Sequence, residues 1–260
     1  MRQVFAVIGR FLIDTTRNAG YRVLLVIESF FWLRAAWQKR HEILFQLYVC
    51  GVQSLPVTLL VGVFVGMVLA LQTGLSLKPF GLQNLIAQVA GASMTREMGP
   101  LMTAIILAGR VGSAMAAELG SMRVAEEIDA LEVMSVSPIK YLVMPRIVAL
   151  TLACPLLTIY ANAIGIAGAA MVGHLQVGVN YYVFFRDCFR FITLKDLYSG
   201  LAKTVVFGLI IAGVSCSEGM RTTGGTLGVG RSTRRAVVNS LLMLLMFNYF
   251  LTAFFYRFVY

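Results

Sequence analysis

Residues 54–77 read SLPVTLLVGVFVGMVLALQTGLSL, without one charged side chain. A bilayer's hydrocarbon core is about 30 Å thick, and a helix needs roughly 20 apolar residues to cross it. This stretch is therefore long enough to span a membrane, and it does not stand alone. Residues 147–173 and 236–256 are likewise uncharged, and 98–118, which ends on Glu118, and 197–217 span if one internal charge each is tolerated, Arg110 and Lys203. The chain as a whole is 58% hydrophobic and 13% charged, with a mean hydropathy of +0.80. Five long continuous runs predict an all-α integral membrane protein. A β-barrel would need short alternating strands, which these runs are not.

The 22 basic residues are unevenly distributed. With the N-terminus inside, about two thirds of them fall in cytoplasmic segments, as the positive-inside rule requires. The net charge of +10 then reads as attraction to anionic lipid at that face and not to nucleic acid, since no aromatic–basic groove interleaves with it. Cys50, Cys154, Cys188 and Cys216 lie far apart in apolar settings, with no metal or redox spacing, and read as small hydrophobes. Residues 1–18 lack signal-peptide architecture. Arg2, Arg10, Asp14 and Arg17 fall on one helical face opposite Val4, Val7, Ile8, Phe11 and Leu12, which predicts a helix lying in the interface. Residues 23–33, with Glu28 inside and Trp32 and Trp37 nearby, read as a second interfacial or half-inserted piece. Residues 1–50 are thus assigned to the interface, and the aromatic, basic stretch 174–196 to the outer surface.

Two features concern packing and turns. Gly62 and Gly66, and then Ala161, Gly165, Ala169 and Gly173, repeat small residues every four positions. Such ladders let helix backbones approach closely in lipid, more often within one subunit than between two. GTLGVGRS (225–232) has the spacing of a phosphate-cradling loop, but Arg231 stands where the lysine belongs. A membrane span precedes it where a buried strand should be. The glycines read more simply as a tight cytoplasmic turn.

The remaining anomaly is acidic. Of the chain's 12 carboxylates, Glu118, Glu126, Glu127, Asp129 and Glu132 fall between residues 118 and 132. On a helix over 122–135, Val124, Ile128 and Leu131 form an apolar stripe and the carboxylates cover the rest, until Pro138 ends it. Anionic headgroups would repel such a helix, so a protein partner with a basic groove explains it better. No His or Cys joins the acids at metal spacing.

TREMGPLMTAIILAGRVGSAMAAELGSMRVAEEIDALEVMSVSPIKYLVMPR (95–146) closely resembles the signature region of the MlaE/YrbE family, and GVFVGMVLALQ (62–72), KTVVFG (203–208) and GGTLGVGRSTRRAVVNS (224–240) also look like that family. These are permease subunits of lipid-transporting ABC systems that work with MCE-domain proteins. The resemblance covers roughly residues 50–250 of one permease domain. It implies a homodimer, five spans per subunit, an N-terminal interfacial helix, and a cytoplasmic coupling helix at 122–135 that grips a separate ATPase. ATP would be bound by that partner, so the chain itself needs no cofactor and no metal and is not an enzyme. A periplasmic MCE-domain protein and a small STAS-domain protein are the further partners implied, in the inner membrane of a Gram-negative bacterium.

Residue by residue, the resemblance points to Arg96, Glu97, Lys203 and Gln72 as phospholipid contacts, and to Glu126, Glu127, Asp129, Leu131 and Glu132 as the ATPase-coupling set. The expected function is movement of phospholipid between the inner membrane and the MCE carrier. Two other readings compete: a membrane scaffold that anchors the partners without transport, and an ion-coupled secondary carrier. The carrier reading lacks the inverted repeats such proteins usually show. Within the first reading, Arg96 and Lys203 either meet a lipid phosphate or are tied up in an ion pair with Glu97.

Overall fold

The computed structural model describes residues 2–35, 37, 39–82 and 85–258, with the side chains of 2–15, 18, 33 and 35 outside the description. The interfacial face assigned to Arg2, Arg10 and Asp14 therefore lies outside the described side chains. Every regular element among the described residues is helical. Five helical segments among the described residues are long and apolar enough to cross a membrane: Arg40–Phe80, Ile86–Val124, Ile139–Val177, Leu194–Met220 and Gly225–Phe258. The protein is a multi-pass, all-α membrane protein, as its apolar runs require.

The chain opens with α1 (Arg2–Phe31). Helices α2 (Arg40–Cys50) and α3 (Leu55–Leu77) follow, joined by one 3-10 turn into the first long segment. The second segment is α4 (Ile86–Ser93), α5 (Gly99–Leu107) and α6 (Ser113–Val124), linked by π-helical turns at Met94–Met98 and Ala108–Gly112. A short helix, α7 (Glu127–Val133), leads through another π turn into α8 (Met144–Val177). Then come α9 (Tyr181–Phe191), α10 (Leu194–Met220) and α11 (Gly225–Phe258). At the last turn Gly224 and Gly225 take φ of 90° and 63°, which costs a glycine nothing.

One sequence expectation is revised at the start of the chain. The 1–18 helix and the 23–33 piece form a single helix, because nothing between Arg17 and Val23 is a strong breaker and tertiary contact holds the junction. Leu25 and Ser29 are buried, and a Cβ placed on Gly213 of α10 would lie 2.8 Å from Val26. Residues 40–50 belong to the first long segment instead of a separate interfacial helix.

The two small-residue ladders meet each other. A Cβ on Gly66 of α3 would lie 1.9 Å from the carbonyl oxygen of Gly165 on α8, and one on Gly168 would lie 2.6 Å from that of Val63. Lipid tails are as apolar as the side chains, so this contact rests on dispersion between closely approached backbones and not on water exclusion. Gly66→Leu is therefore expected to force α3 from α8 and cost at least about 3 kcal/mol, at the upper end of overpacking. Loss of folded protein in detergent, followed by thermal unfolding, checks it.

Around that seam lie two apolar clusters. One centres on Leu107, Leu119, Leu150, Phe207 and Leu244. The other centres on Ile86, Met94, Ala169 and Phe184, and is closed by α9. All four cysteines are buried and unpaired. Burial pushes the Cys188 thiol of α9 up to about 11, so it behaves as an apolar side chain at neutral pH.

Candidate functional site

The first site grows from a proline. Pro100 has no amide proton, so the carbonyl of Arg96, four residues earlier, receives nothing from it. That carbonyl instead accepts from Lys203 Nζ of α10 at 3.2 Å. Lys203 Nζ also donates to Glu97 Oε1 at 2.5 Å and to Thr252 Oγ1 of α11 at 2.9 Å. An ammonium has three protons, and all three are used. Glu97 Oε2 accepts from Asn248 Nδ2 at 3.2 Å, and Thr252 Oγ1 lies 3.0 Å from Glu97 Oε1. The lysine side chain is 3% exposed and the glutamate 29%. A charge in a spanning segment is tolerated when it is paired in this way.

Beside it, Arg96 Nε donates to Asp196 Oδ1 at 2.7 Å. Asp196 is fully buried, and its other oxygen accepts from Thr193 N and Oγ1, both at 2.9 Å. The same carboxylate thus caps the start of α10 and holds Arg96. A Cβ on Gly200 would lie 2.2 Å from the carbonyl oxygen of Thr95, so only a glycine lets α10 come this near. The space left among Arg96, Glu97, Ser199, Lys203 and Thr252 is about 10 Å³, room for one water at most.

The structure thus brings Arg96, Glu97 and Lys203 together and leaves Gln72 apart, exposed on α3. Among the described residues, no hydrogen bond joins the Gln72 side chain to the cluster. Sequence reasoning missed Asn248, Thr252 and Asp196. The signals were present: two polar residues four apart in an apolar helix share a face, and Thr193-x-x-Asp196 before an apolar run is a capping pattern.

The second site is the acidic segment, and its extent differs from expectation. The helix expected over 122–135 is two pieces, because Glu126 has φ of 61° and breaks the path between α6 and α7. Ala130 N donates to the Glu126 carbonyl, and Arg123 pairs with Asp129 across the break. Arg146, only 9% exposed, pairs with Glu118 at 3.0 Å. Ile128 is fully buried and Leu131 packs beside it against the core. Glu126, Glu127 and Glu132 face solvent. Val133 and Met134, 87% and 71% exposed, project beside them, and periodicity gave no warning of that. Lys140 lies over the Trp32 ring at 4.8 Å and Lys39 over Tyr141 at 3.7 Å, which fastens the loop after α7 to the α1–α2 linker.

A multi-pass helical bundle with a paired charge cluster in its interior and an acidic helix hung from one end has the build of a transporter's membrane subunit. Its residues 43–254 match the family model of the permease MlaE. The chain belongs to the MlaE permease family. It is 42% identical over 207 residues to a probable ABC transporter permease protein of Rickettsia typhi, covering 80% of each chain. It is also 42% identical over 213 residues to one of Synechocystis, covering 82% of this chain and 81% of that one. Likeness extends to the chloroplastic protein trigalactosyldiacylglycerol 1 of Arabidopsis thaliana, 40% over 239 residues, covering 92% of this chain and 66% of the relative. The protein is an ABC transporter permease, the membrane component of a system whose ATPase is a partner.

Proposed function

We propose that this permease moves phospholipid between the inner membrane of a Gram-negative bacterium and a periplasmic MCE-domain carrier, as a homodimer driven by the separate ATPase. ATP and its hydrolysis belong to that partner, and a STAS-domain protein is a further partner of the ATPase. One observation carries the mechanical part of this reading. A single helical segment, Ile86–Val124, holds Glu97 near one end and at the other is followed, after the break at Glu126, by α7, which the Arg123–Asp129 pair ties back to it. From Glu97 to Val124 is 27 residues, about 40 Å of helix at 1.5 Å per residue. A push on α7 therefore reaches the Glu97–Lys203 cluster through one rod. Movement of α5 against α10 and α11 would open and close space beside that cluster. The chain's own interior offers only about 10 Å³ there, which supports placing the acyl chains between two copies, against the exposed Leu242, Leu245, Tyr249 and Phe250 of α11. A lipid substrate also agrees with the lipid in the name of the Arabidopsis relative.

Reconstitution tests the proposal. In vesicles holding the permease, the ATPase and the MCE carrier, a fluorescent phospholipid should transfer at least about tenfold faster with ATP, a change of about 1.4 kcal/mol in barrier. Assembly of all three partners without ATP-dependent transfer would favour the scaffold.

A further inference from the structure

A second polar cavity lies at the other end of the bundle. Its volume is about 690 Å³, within the usual range for ligand pockets. From α10 and α11 alike its position is clear. Arg221 lies 18 residues beyond Lys203, and Arg235 lies 17 residues before Thr252, about 25 Å along either helix. The hydrocarbon core is about 30 Å thick, so the cavity sits at the membrane boundary opposite the Lys203 cluster.

The cavity is lined by five arginines, Arg17, Arg22, Arg123, Arg221 and Arg235, against two carboxylates, Glu132 and Glu218. Glu218 is already engaged, its Oε1 accepting from Arg22 at 2.7 Å and from Asn239 Nδ2 at 3.1 Å. Arg123 is held by Asp129, and Arg221 lies 5.2 Å from the Tyr21 ring. Neither Arg17 nor Arg235 has a carboxylate within ion-pair distance among the described residues, and both are exposed at the mouth. Deeper in, Arg22 Nε is buried without an acceptor, and Ser217, Thr222 and Ser232 place hydroxyl groups in the buried wall. Surplus guanidinium donors, an unmet buried N–H and hydroxyls around one cavity call for an anion with several acceptor oxygens. Phosphate matches the guanidinium fork.

We infer that this cavity binds a phosphate group, supplied either by the headgroup of an anionic lipid or by a soluble phosphate compound. The site is separate from the Lys203 cluster and does not depend on what the permease transports.

Arginine modification by phenylglyoxal, read by peptide mass spectrometry on the purified full chain in detergent, tests it. Dioctanoyl phosphatidylglycerol should protect Arg17 and Arg235 while exposed Arg190 of α9 reacts unchanged. Pyrophosphate protecting equally well would identify a soluble source, and protection by the lipid alone would identify a headgroup. The double variant Arg17→Gln with Arg235→Gln should weaken the protection of Arg221 about tenfold. Dioctanoylglycerol protecting as well as the phospholipid would overturn the inference, as would no protection by either phosphate. Protection by the ATPase partner alone would make the cavity a docking surface and overturn it too.

Discussion

Replacing Lys203 by methionine is expected to destabilise the permease by about 3 kcal/mol, near the lower end for breaking a buried ion pair. The lower end applies because Glu97 keeps 29% of its side chain exposed. What remains after the change is a carboxylate facing Asn248 and Thr252 with no cation, and an Arg96 carbonyl with no donor from α10. Adding Glu97→Gln removes the stranded charge, and most of the stability should return. Thermal unfolding of the single and double variants in the same detergent measures both. A lysine whose only task was to hold a lipid phosphate would behave otherwise. Its loss would leave unfolding unchanged and would weaken lipid crosslinking alone, and that result would return Lys203 to the ligand set. Arg96→Gln is the better probe of lipid contact, because 26% of its side chain stays exposed while Asp196 holds its Nε.

Charge reversal at Glu126, Glu127 and Glu132 should reduce co-purification of the ATPase at least about thirtyfold, the loss of one interfacial hot spot of about 2 kcal/mol. These three carboxylates face solvent, so membrane insertion and stability should be unaffected. Asp129 is left out because Arg123 holds it, and reversing it would loosen α7 itself. Val133→Asp should have a similar effect, since an 87% exposed valine beside an acidic rim fits the apolar centre and polar edge of an interface. Undiminished capture of the ATPase by both variants would remove α7 from the docking role.

Much of this was legible in the chain. The ladder of Gly62, Gly66, Ala161 and Gly165 announced a close helix pair, and α3 and α8 form it. Arg96, Glu97 and Lys203 stood out because charge near apolar runs is rare. Their ion pairing was one of two readings, and the structure gives it full geometry, with Asn248 and Thr252 added from a helix more than 150 residues from Glu97 in sequence. Gln72, by contrast, sits away from that cluster. It closes the stretch 62–72 that resembles the family, but a helix face cannot be assigned from a short motif alone. The break at Glu126 escaped notice because glutamate rarely takes positive φ, and local propensity favoured one continuous helix.

By itself the sequence determined the membrane class, the five crossings and the acidic character of one surface. Each follows from the length of apolar runs and from the cost of placing charge in hydrocarbon, which are local quantities. The tertiary structure alone decided which ionisable groups neutralise one another and which stay open. Lys203 is consumed by partners from two other segments, while Arg17 and Arg235 face a cavity whose two carboxylates, Glu132 and Glu218, pair with neither among the described residues. Charge compensation depends on distances of a few ångströms between residues far apart in the chain, and only the packed bundle sets those distances.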